Sequence, residues 1–120
     1  MRTEVFREFS PVKEKEPVHP VHPVLKVLHE RIESSSQPGK RTDPHKLVLT
    51  IEGGGMRSTV TAAMATTLDI LGLQNVFDEV YGSSAGSSNG GYFLAHQGVE
   101  AMRVYLDNIS NRDFVDLFRP

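Results

Sequence analysis

Gly82-Ser83-Ser84-Ala85-Gly86 sets a serine between two glycines and lies directly after the apolar stretch Val76-Phe77-Asp78-Glu79-Val80-Tyr81. A serine on a sharp strand-to-helix turn is held in a strained backbone conformation. Glycines two positions to either side leave room where β-carbons would collide. Ser84 would then stand clear at the carboxyl end of a strand as a nucleophile. Gly86-Ser87-Ser88-Asn89-Gly90 fits the same spacing, so Ser88 competes for the role. Ser84 follows the strand directly, whereas Ser88 falls one turn into the next helix, where its hydroxyl can bond back to a carbonyl. Ser84 is therefore the expected nucleophile.

A second glycine motif lies upstream, Glu52-Gly53-Gly54-Gly55-Met56-Arg57-Ser58, preceded by Lys46-Leu47-Val48-Leu49-Thr50-Ile51. The run of β-branched and apolar residues predicts a short buried strand. Val60, Ala63, Met64, Leu68 and Leu71 then recur at helical spacing. Ser58 or Thr59 can cap the helix start, and Gly72 stands where a helix end takes a left-handed residue. The order is strand, glycine turn, helix, strand, serine elbow, helix. Two strands joined through such a helix should be parallel with a right-handed crossover, which brings both glycine turns to one edge of the sheet. Backbone N–H groups at that turn can receive the oxyanion formed when a serine attacks an ester. Gly54, Gly55 and Met56 are the candidate donors, with Gly53, Gly82 and Gly86 shaping the turns. Arg57 is expected either to steady the loop or to attract an anionic head group, or to be a solvated surface residue.

Ile51-Glu52-Gly53-Gly54-Gly55-Met56-Arg57 followed by Val80-Tyr81-Gly82-Ser83-Ser84-Ala85-Gly86 resembles the patatin-like phospholipase family. The resemblance runs from about Lys46 to the end, and Tyr92-Phe93-Leu94-Ala95-His96-Gln97 is similar to the family's helix after the elbow. It implies a three-layer α/β hydrolase fold, present here as an incomplete parallel β-α-β-α unit. It also implies hydrolysis of lipid acyl esters by a Ser-Asp dyad, with no metal or organic cofactor. Two departures stand out. The family's glycine loop usually continues with glycine where this chain has Ser58, which as a helix cap should let the turn survive. The family's catalytic aspartate comes from an Asp-Gly dipeptide, and this sequence has none. Asp107, Asp113 and Asp116 follow the elbow, but their neighbours do not match.

His96 is the only histidine after Ser84. On one helix the two would stand roughly 18 Å apart at a rise of about 1.5 Å per residue, so a Ser-His-Asp triad is not expected and His96 reads as a surface or packing residue. These observations predict an amino-terminal fragment of a longer hydrolase, with little turnover by the 120 residues alone. Two other classes compete. A dinucleotide-binding module would need a final glycine where Ser58 stands, and an acid at the end of the second strand, where Gly82-Ser83-Ser84 lies. A non-catalytic binding or regulatory relative would keep the elbow without a base.

The formal net charge of −2 leaves no basic footprint for nucleic acid. The absence of cysteine excludes disulfides and thiolate chemistry. No signal core occurs at the amino terminus and no run of about 18 apolar residues could span a bilayer. Peripheral contact with a membrane surface stays open. Residues 1–45 hold six of the seven prolines and four of the five histidines, which predicts an extended or disordered extension before a unit at 46–120. Within it, Pro23 to about Ser34 fits one helix, with Pro23 at its first position and Val24, Leu28 and Ile32 on one face. His19 and His22 are close in sequence but lack a third ligand, so no metal site is expected. A last helix, about Val99 to Ile109, carries Val99, Met102, Leu106 and Ile109 as a core-facing stripe. Gly90 and Gly91, costly inside a helix, are expected to allow close approach of helix to sheet.

Overall fold

The computed structural model describes residues 20–111 and 114. The elements run α1 (Pro23–Glu33), β1 (Val48–Ile51), α2 (Thr59–Ile70), β2 (Glu79–Gly82), α3 (Ala85–Leu94) and α4 (Gly98–Arg103). Tight 3-10 turns over Gly55–Ser58 and Gln74–Val76 lead into α2 and β2, and α4 continues as a π-helical turn over Val104–Asn108. His19, Asp113 and Asp116, considered above, lie outside the described residues.

β1 and β2 pair in parallel, Val48 opposite Glu79 and Ile51 opposite Gly82. The α2 crossover therefore carries both glycine segments off the same edge of the pair. Pairing begins one residue before β2, where the Asp78 N–H donates to the Leu47 carbonyl. Val76 is in a 3-10 turn and not in the strand, because its carbonyl is taken by the Arg31 guanidinium at 2.7 Å. β1 is half-buried rather than buried: Leu49 and Ile51 point into the molecule, Val48 and Thr50 outward. This mixed helix and strand architecture is an incomplete α/β fold.

Ile51, Ala65 and Phe93 form the core, with Leu49, Leu68, Phe77 and Val80 packed around them. The Phe77 and Phe93 rings meet edge to face, centroids 6.1 Å apart. Two apolar stripes do not pack as their spacing predicts. On α2 the buried residues are Ala62, Ala65 and Thr66, while Val60, Met64 and Leu71 are exposed. On the last helix Gly98, Ala101 and Tyr105 are buried, whereas Val99 and Leu106 face outward. Small residues win these positions because α2 and α4 lie backbone to backbone: the Thr66 hydroxyl donates to the Gly98 carbonyl at 2.7 Å, and the Gly98 N–H donates to Asp69 Oδ2 at 2.8 Å. Gly90 does admit the sheet, since a Cβ there would meet Val80 Cγ1 at 3.3 Å. Gly91 faces open space, so close packing does not account for it.

α1 forms with Pro23 in its first turn, and His22 caps it by accepting the Val24 N–H on Nδ1. Its docking is ionic. Val24 and Ile32 are exposed, while Arg31 is 2 % exposed, a residue that stripe periodicity overlooks. Arg31 donates to both Asp43 oxygens, to Asp78 and to the carbonyls of Val76 and His45. Arg41 reaches the other Asp78 oxygen and the carbonyls of Ser36, Asn75 and Phe77. The Arg31 hydrogen bond holds the Asp43 carboxyl down at about 2. For Asp78, burial pushes up, but the Leu47 N–H and the Arg41 and Arg31 guanidinium groups outweigh it and also hold it at about 2. The cluster fixes α1 at the amino ends of the strands.

Candidate active site

The turn after β2 holds Ser84 at φ 52°, ψ −128°, a conformation that costs a non-glycine residue about 1–3 kcal/mol and persists only where surrounding structure enforces it. Gly82 and Gly86 permit the close packing around it. A Cβ at Gly82 would strike the backbone of Gly86 and Ser87, and one at Gly86 would strike Ile51 and Glu52. Any side chain at either position would force the turn apart. Ser84 is exposed, and among the described residues its hydroxyl makes no hydrogen bond. Ser88 lies one turn into α3 and is also exposed. The hydroxyl that bonds back is that of Ser87, which donates to the Gly82 carbonyl at 2.8 Å; the expectation placed that bond at Ser88.

The glycine segment after β1 touches this elbow. A Cβ on Gly53 would sit 2.9 Å from Ser84 Cβ and closer still to the Ser83 carbonyl oxygen. Gly54 and Gly55 take φ of +152° and +56°, which glycine adopts without the Cβ penalty. Among the described residues the N–H groups of Gly54, Gly55 and Met56 make no hydrogen bond, and neither does that of Ala85, the residue after Ser84. Spacing alone points to the first three. Ala85 adds a fourth, and its place as the first residue of the helix after the serine elbow is itself a signal. Unpaired amides at helix starts attract negative charge.

Ser58 does not cap α2. Its Oγ is buried and, among the described residues, without a hydrogen-bond partner. The turn survives because Thr59 Oγ1 donates to the Met56 carbonyl at 2.7 Å and the Arg57 N–H to that of Gly54 at 3.2 Å. Arg57 is exposed, its Nε 3.7 Å from where a Gly54 Cβ would lie, and no ion pair holds it among the described residues.

A cavity of about 390 Å³ opens beside the elbow, with Gly55, Met56 and Ala85 at one side and Tyr92, Ala101 and Tyr105 among its walls. Ser88 and Asn89, with the hydroxyl-bearing Tyr92 and Tyr105, are its polar members. Its volume falls at the small end of ligand sites, which run to about 300–1,000 Å³. His96 lies beyond the end of α3 with φ +55°, its Nδ1 3.4 Å from Asp69 Oδ1. That contact ties it to the α2–α4 junction. Asp107 is exposed on the π-helical turn. Among the described residues no cluster of histidine and carboxylate side chains could hold a metal ion, and no helix is long and apolar enough to cross a membrane.

Comparison with curated proteins and with solved structures found no match. The family model for Patatin-like phospholipase matches residues 49–120, well over half of the sequence and from within β1 onward. That span contains the glycine turn, the serine elbow and the cavity, and by it the chain belongs to the patatin-like phospholipase family.

Proposed function

We propose that the chain carries the nucleophile and oxyanion site of a serine hydrolase acting on lipid acyl esters. Ser84 Oγ attacks the ester carbonyl carbon, forming a C–O bond and placing negative charge on the carbonyl oxygen. The N–H groups of Gly54, Gly55 and Met56, joined by Ala85, receive that charge without reorganising side chains. The acyl chain occupies the apolar cavity. When the tetrahedral species collapses, the alcohol leaves and an acyl-serine forms. The hydroxyl proton passes to a general base, which in the family is an aspartate of an Asp-Gly dipeptide. No Asp-Gly occurs in this sequence, so turnover by the 120 residues is expected to be slow. The observation that carries the reading is the strained, unpartnered Ser84 in contact with the glycine segment.

A fluorophosphonate probe tests it. An oxyanion site and substrate binding without a competent base still leave about 10³–10⁴-fold acceleration over water in serine hydrolases. Slow phosphonylation confined to Ser84 and lost in Ser84→Ala is therefore expected. Labelling spread evenly over Ser83, Ser84, Ser87 and Ser88, or none at all, would sink the enzymatic reading. It would favour a second one, a non-catalytic binding or regulatory relative that keeps the elbow without a base.

A further inference from the structure

Asn89 lies on α3 beyond Ser84 and is 1 % exposed. Its side-chain nitrogen donates to the Ser58 carbonyl and to Thr61 Oγ1, both at 3.1 Å, and its oxygen accepts the Tyr105 hydroxyl at 3.1 Å. The Thr61 hydroxyl bonds in turn to the carbonyls of Ser58 at 3.0 Å and Glu52 at 3.3 Å. A primary amide is the side chain that meets this demand, because it offers two N–H donors on one side and an acceptor on the other. Aspartate would present oxygen to the Ser58 carbonyl, and leucine would leave the Tyr105 hydroxyl without its acceptor and take one donor each from the Ser58 carbonyl and Thr61 Oγ1. Asn89 and Tyr105 also line the cavity. One hydrogen-bonded path therefore runs from the cavity wall through the helix behind the nucleophile to both ends of the glycine segment. Within that segment Ser58 Oγ has no hydrogen-bond partner among the described residues.

Building on the acyl-hydrolase reading, we propose that Asn89 is a positioning residue: it seats the oxyanion turn against Ser84 and, through Tyr105, makes that seating depend on the chain that fills the cavity. The turn is then held best when an acyl chain packs against Tyr105. Ligands too short to reach Tyr105 leave the path unbiased.

Amide hydrogen exchange on the full chain tests this without relying on turnover. In Asn89→Leu, exchange at Arg57, Ser58 and Thr59 is expected to rise about tenfold relative to Ala65 and Phe93, the loss of one or two buried hydrogen bonds. Tyr105→Phe keeps the aromatic wall and removes one oxygen, so it should give a smaller rise at the same amides; it carries the comparison if Asn89→Leu does not fold. Decanoate should slow exchange at these amides in the unsubstituted chain, and acetate should not. The protection should shrink in Tyr105→Phe. An unchanged turn in both variants, or a rise shared equally by Ala65 and Phe93, overturns the positioning role. Absence of decanoate protection, or equal protection in Tyr105→Phe, overturns the coupling to the cavity. Failure of the fluorophosphonate probe to label Ser84 removes the hydrolase reading while leaving the exchange result to decide the role of Asn89.

Discussion

The two ends of one parallel strand pair are built on opposite terms. At the amino ends, Arg31, Arg41, Asp43 and Asp78 form a cluster in which every charge has an opposite partner and the Arg31 side chain is 1 % exposed. At the carboxyl ends, the Ser84 hydroxyl, the Ser58 hydroxyl and the amides of Gly54, Gly55, Met56 and Ala85 have no partner among the described residues. Open α/β sheets bind ligands outside the carboxyl ends of their strands, and unmet hydrogen-bonding capacity is what a ligand can use. The satisfied end keeps the strands in register. The unsatisfied end is where the proposed reaction is set.

Removing Arg31 should produce the largest change. Arg31→Ala removes the buried guanidinium that bridges Asp43 and Asp78, and breaking a buried pair in this way costs about 3–5 kcal/mol. Urea unfolding should show it as a lower midpoint. A midpoint within error of the unsubstituted chain would mean that α1 is not held by this cluster. Gly53→Ala attacks the other end. Its Cβ would press Ser83 and Ser84 away from the glycine turn, and phosphonylation of Ser84 should slow about a hundredfold, the loss typical of a displaced oxyanion donor. An unchanged labelling rate would show that contact between the two loops is not needed.

Acid should separate the two ends more gently. Asp43 and Asp78 are held at about 2 in the folded chain, below the ordinary 3.8. A depressed carboxylate contributes stability that is complete above its unfolded value and disappears as pH falls through its folded value. Stability should thus decline between about pH 4 and pH 2, with a shallower decline in Arg31→Ala; unfolding midpoints measured across that range decide it. The smallest effect belongs to Ser58→Ala, which deletes a buried hydroxyl that has no partner among the described residues. Its thermal midpoint should stay level or rise by the equivalent of at most about 1 kcal/mol. A clear fall would mean that the hydroxyl is satisfied in solution.

Local features of the site were legible because they rest on rules that act within a few residues. The glycine spacing around Ser84 announces a turn, Pro23 announces the first turn of α1, and Gly72, at φ +69°, ends α2 as expected. What periodicity misplaced were the faces. Val60, Met64, Val99 and Leu106 have the size and spacing of core residues and lie outside, because α2 and α4 approach closely where Thr66 meets Gly98. A hydrophobic stripe records what can be buried, not which neighbour arrives to bury it.

The sequence by itself determined the strand–turn–helix order and the elbow that carries Ser84, since β-propensity, glycine spacing and helix signals are short-range. Tertiary structure alone decided that Arg31 rather than an apolar face anchors α1, that Ala85 adds a free amide, and that Asn89 joins Ser58 to Tyr105. Each of these depends on groups far apart in the chain meeting in space. A charged or amide side chain does not disclose its partners until the backbone has brought them within hydrogen-bonding distance.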